Sequence, residues 1–142
     1  MRLLAATFVL FVIWFNSPFD QYGTIEWEDE KARLDNFAIQ LTQEWKGVGA
    51  ILIFDKANGC PGEAKARAIR AKRYMVEHRG IPWNRVFWRK EGYASDITTT
   101  LLTIPHGAYA PYPFYEQRGP QVDGPMTGAC RATLQKIRRS GW

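Results

Sequence analysis

Apolar and polar positions along this chain follow two periods. Between residues 28 and 45, Leu34, Phe37, Ala38 and Leu41 recur at i, i+3, i+4 and i+7 behind the acidic run Glu28, Asp29 and Glu30. That is the pattern of an amphipathic helix whose positive end is met by carboxylates. Gly47 to Phe54 is apolar on both alternating faces, which suits a central strand buried on both sides. A second helix is expected from the Pro61-Gly62-Glu63-Ala64 stretch, with Ala64, Ala68, Ala71 and Met75 on one stripe and small enough to pack close to a sheet. Gly80 supplies a left-handed cap and Pro82 blocks continuation. Phe19 to Ile25 reads as a first strand. Arg85 to Lys90 and Asp96 to Pro105 are β-branched or aromatic runs around the turn at residues 91–95, and read as a hairpin-like pair.

The order βαβαββ predicts an α+β two-layer sandwich. Right-handed crossovers between neighbouring parallel strands place both helices on one face of a mixed sheet. Beyond Pro105 the composition shifts to Pro, Gly and Tyr, so residues 106–142 are expected to run extended over the surface and to end in a short basic helix near Cys130 to Trp142. The organisation is then an N-terminal segment 1–17, a domain 19–105 and a tail 106–142. At 142 residues and 46% hydrophobic, the chain has the material for one core and too little for two.

Met1 and Arg2 precede 13 uncharged apolar residues, Leu3 to Phe15, and Asn16-Ser17-Pro18 ends the run. A bilayer-spanning helix needs about 20 residues, so the run reads as a secretory signal h-region, with the chain exported to the periplasm or held on its membrane side. Phe15 and Ser17 fit the small-x-small cleavage pattern poorly, and an uncleaved anchor or a buried core helix are the other readings. In an oxidising compartment the two cysteines, Cys60 and Cys130, favour a disulfide over two buried thiols. It would pin the tail beside the turn that follows Asp55. The chain has no CxxC, HExxH or Cys/His cluster to hold zinc, and no cofactor motif.

A net charge of +5 suits nucleic acid, anionic lipid or an acidic polymer alike. Lys65, Arg67, Lys72, Arg73, Arg79, Arg85, Arg89 and Lys90 form a basic set, with Trp83 and Trp88 available to stack bases. Export and the lack of any RRM, KH or helix-turn-helix signature argue against nucleic acid, and a solvated face is the plainer account. Catalysis has little support. His78 and His106 lack a nucleophile partner, no G-x-S-x-G or P-loop occurs, and Glu91 and Asp96 read as turn polar groups. The chain is therefore expected not to be an enzyme.

Residues 19–105 resemble the OmpA-like domain, the peptidoglycan-associating periplasmic module of OmpA, Pal and MotB type proteins. The resemblance rests on "FDQYG" before an acidic helix entry, on "LDNFAIQL" before the buried strand, on Asp55 at that strand's end, and on "RAKRYMVEHRGIPWNRV". It implies noncovalent binding of the diaminopimelate stem peptide by Asp55 and Arg70, 15 positions apart (70 minus 55). A diamino acid presents ammonium and carboxylate together, for which a fixed acid and a planar guanidinium make a complementary receptor. The chain departs from the family pattern at Phe54, where the family has Thr, at Glu63, where it has Asn, and at Ala66-Arg67, where it has Leu-Ser. The competing expectation is a non-catalytic envelope subunit that keeps the fold without a pocket and docks on a partner through its N-terminal segment and aromatic tail.

Overall fold

The computed structural model describes residues 17–109 and 123–141. The apolar run 3–15, and with it the signal or anchor reading, lies outside the described residues, as does the expected extended course of residues 110–122. Within the described residues the chain forms β1 (Asp20–Tyr22), α1 (Trp27–Gln43), β2 (Val48–Lys56), α2 (Glu63–Arg73), β3 (Val86–Ala94), β4 (Thr98–Ile104) and α3 (Gly128–Arg139). The fold is α+β, with a four-stranded mixed sheet and three α-helices.

Strand order is β1-β4-β2-β3, with β2 and β3 parallel and β4 antiparallel to both β1 and β2. Two expectations are corrected here. The last two strands do not form a hairpin-like pair, because β2 sits between them. Nor are β1 and β2 neighbours, because β4 fills the space between them. The physical reason lies in β2, whose residues Gly49 to Ile53 are all buried. A strand apolar on both faces gains most from a partner on each edge, and the chain at residues 95–97 crosses from one edge of β2 to the other. Ile97, in that crossing, is buried against Ile53, Ala64 and Ala68. A bulge leaves Glu91 without an opposite residue between the pairs Ile53↔Lys90 and Phe54↔Gly92, and Gly92 takes the positive φ (142°) that the bulge needs.

The main core joins Leu34, Phe37 and Leu41 of α1 to Ile51, Val86 and Leu101 of the sheet, with Met75 and Ile81. At Gly49 a Cβ would come within 2.6 Å of Leu41 Cδ1 and 3.1 Å of Phe37 Cε1, so any larger residue there would have to push these side chains of α1 aside. Ile53, two residues beyond Ile51 and so on the same side of β2, packs against Ala64 and Ala68 of α2. Ala50, Leu52, Leu102 and Ile104 form a second buried cluster with Phe87 alongside.

After Arg73, α2 widens into a π turn over Tyr74–His78, closed by the Arg79 N–H donating to the Tyr74 carbonyl. Gly80 then takes φ 67° and Ile81 donates to Met75 O, ending the helix where the glycine and proline predicted. The C-terminal segment is more than a surface strap. Thr127 Oγ1 caps α3 by accepting from the Cys130 N–H, and Leu134 and Ile137 are buried. A Cys60–Cys130 disulfide fastens α3 to the loop before α2, as the cysteine count predicted.

Candidate functional site

Asp55 stands near the end of β2 on the side of Ile51 and Ile53, and only 1% of it is exposed. Its Oδ1 accepts from the N–H of Lys56 at 3.0 Å, and Oδ2 lies 3.2 Å from Lys90 Nζ on β3. The Lys90 ammonium also sits 4.1 Å over the Tyr93 ring. Burial works against the Lys90 charge, but hydrogen bonding to Tyr93 and Asp55 outweighs it and holds the proton more tightly than usual.

Arg70 faces a different set of groups. It is 7% exposed, and it forms an ion pair with Glu30 in the first turn of α1. Its Nη1 donates to Ser140 Oγ at 2.9 Å, just past α3, and its guanidinium lies 4.2 Å over the Trp27 ring. Tyr22 Oη donates to the other oxygen of Glu30 at 3.2 Å. The chain Tyr22–Glu30–Arg70–Ser140 thus ties β1, α1 and α2 to the end of α3. Burial pushes the Arg70 pKa down while the Glu30 carboxylate opposes it; burial, then the charge of Glu30, pushes the Tyr22 phenol far up.

The open receptor expected between Asp55 and Arg70 is therefore not what these side chains form. Among the described residues no hydrogen bond or ion pair joins them, and each acid or base already has an internal counter-charge. Two clefts flank α3. One, of about 520 Å³, is bordered by Trp27, Arg67, Arg70, Thr133 and Lys136, and the other, of about 410 Å³, by Lys65, Ile69, Arg73, Met126 and Arg138. Arg70 reaches both; Asp55 lines neither.

The basic set does not form a single face. Arg67 pairs with Glu63, Arg79 with Asp35 and Arg89 with Glu91, while Arg85 donates to the carbonyls of Leu41, Glu44 and Gly47 at the end of α1. Trp88 packs against the core, so it shares no stacking surface with the 73% exposed Trp83. Glu30 is the residue that sequence reasoning missed. The signal was present, since Glu30 lies four before Leu34 on the apolar stripe, where a carboxylate must find a counter-charge when buried. No family model matches the chain, and no match was found among curated proteins or among solved structures.

Proposed function

We propose that the chain is a non-catalytic interaction domain of the OmpA-like kind, exported to the cell envelope, in which Asp55 and Arg70 serve the fold and no wall peptide. The proposal includes a βαβαββ arrangement with α1 and α2 on one side of the sheet, supported by the contacts of Ile51 with α1 and of Ile53 with α2. The pairing of Arg70 with Glu30 carries the proposal, because a guanidinium already neutralised, stacked on Trp27 and capped by Ser140 has little left to offer a ligand. The disulfide suits an oxidising compartment, and Tyr109 is 96% exposed among the described residues, an aromatic group that a partner could meet.

A second reading, peptidoglycan binding by this same pair, is favoured by one observation. Arg70 Nε is buried and makes no hydrogen bond, and Asp55 Oδ2 meets only the Lys90 ammonium, so both retain capacity for a ligand that displaced α3. Co-sedimentation with purified peptidoglycan separates the two readings, using the oxidised wild type, Asp55→Ala, Arg70→Ala and the Cys60→Ser/Cys130→Ser double variant. Background pelleting of all four is the expected result. Pelleting of the wild type or the cysteine variant that vanishes in Asp55→Ala and Arg70→Ala would establish the wall reading and reject ours.

A further inference from the structure

We infer that the groove between α2 and α3 is a docking surface for a bilayer rich in anionic phospholipid. The groove is bordered by Lys65 of α2, by Arg138 of α3 and by Arg73, which pairs with Glu77 of the π turn, and among the described residues no Asp or Glu lines it. Its apolar part is made by Ile69, Leu134 and Ile137 with Met126, of which Ile69 is 36% and Met126 43% exposed. Helical spacing extends the pattern. Lys65 and Ile69 are one turn apart on α2, and Arg131 and Arg138 are two turns apart on α3, all of them exposed. No acidic residue occurs in α3 at all, and the one acid within α2, Glu63, is taken by Arg67.

This mixture of cations and projecting apolar tips identifies the partner. Lys and Arg near a membrane attract acidic headgroups, while apolar side chains between them enter the boundary with the acyl chains. An acidic polymer would satisfy the cations and leave Ile69 and Met126 unmatched. Nucleic acid would call for stacking rings, yet among the described residues no aromatic side chain lines this groove. The Cys60–Cys130 disulfide joins the loop before α2 to α3, and so holds the two walls of the groove in register. None of this depends on Asp55 or on the wall-binding question.

Flotation of the full chain with vesicles of phosphatidylcholine, alone or with phosphatidylglycerol added, tests the inference. The quantity read is the increment in binding caused by the anionic lipid, because an apolar N-terminal run would bind both vesicle types alike. Lys65→Glu/Arg138→Glu is expected to cut that increment by at least about tenfold, and high salt to weaken it in the wild type. Ile69→Asn/Met126→Asn is expected to cut it several-fold, and Met126→Asn alone, outside any helix, serves if the double variant fails to fold. An increment unchanged in both sets would overturn the inference. So would sensitivity to the charge variant alone, with full displacement by polyglutamate, which marks a surface for acidic polymers.

Discussion

Removing one member of the Glu30–Arg70 pair strands a charge that four elements have enclosed, and the cost of such a stranded charge is larger than the worth of the pair. Arg70→Ala and Glu30→Ala are each expected to destabilise the fold by about 3–5 kcal/mol in urea unfolding, while Glu30→Leu/Arg70→Met should cost far less than the sum. Single variants within about 1 kcal/mol of wild type would show that the pair is not buried as described. Asp35 gives a pH signature. Burial acts to raise its pKa, but hydrogen bonds from Arg79 and Tyr74 outweigh it and hold the carboxyl below its usual range. A depressed folded pKa contributes stability that is full above the unfolded value of about 4 and disappears as pH falls through the folded value. Thermal midpoints measured between about pH 5 and about pH 2 should therefore fall less steeply for Asp35→Asn than for wild type. At this scale the sequence was partly legible. Resemblance picked out Asp55 and Arg70 as charged positions of consequence, yet the charges they meet, Lys90 and Glu30, lie 35 and 40 positions away in the chain, and no local pattern encodes such a pairing.

Among elements, α3 depends most on one bond. Cys60 and Cys130 are 70 positions apart, and opening that link is expected to cost roughly 4 kcal/mol in the loop-entropy account. Reduction, or the Cys60→Ser/Cys130→Ser variant, should lower the unfolding midpoint and expose residues 128–139 to protease before the rest of the chain. Cleavage of the reduced protein at unchanged rate in that segment would mean that Leu134 and Ile137 hold α3 unaided. The helices were readable because a 3.6-residue stripe is local: Leu34, Phe37, Ala38 and Leu41 on α1 and Ala64, Ala68 and Ala71 on α2 are buried as their spacing implies. The relation between β3 and β4 was not, because alternation states that a segment is extended and leaves open which strand it joins. A short turn between them suggested direct pairing, and the demand of β2 for two neighbours prevailed.

For the molecule as a whole, the sheet order predicts a gradient of protection. β2 has a partner on both edges and buried residues on both faces, whereas β1 is three residues long at the sheet edge. Native-state hydrogen exchange should find the amides of β2 exchanging last and those of β1 among the first; equal rates in the two would contradict the strand order. The insertion of β4 between β1 and β2 also has a temporal meaning. Asp20 pairs with Leu101, a separation of 81 positions (101 minus 20), so the first strand among the described residues waits for the last. A chain threaded amino end first, through a ribosome or across a membrane, must carry that edge uncommitted until the closing strand emerges, and a helper that shields nascent ends would find its client there.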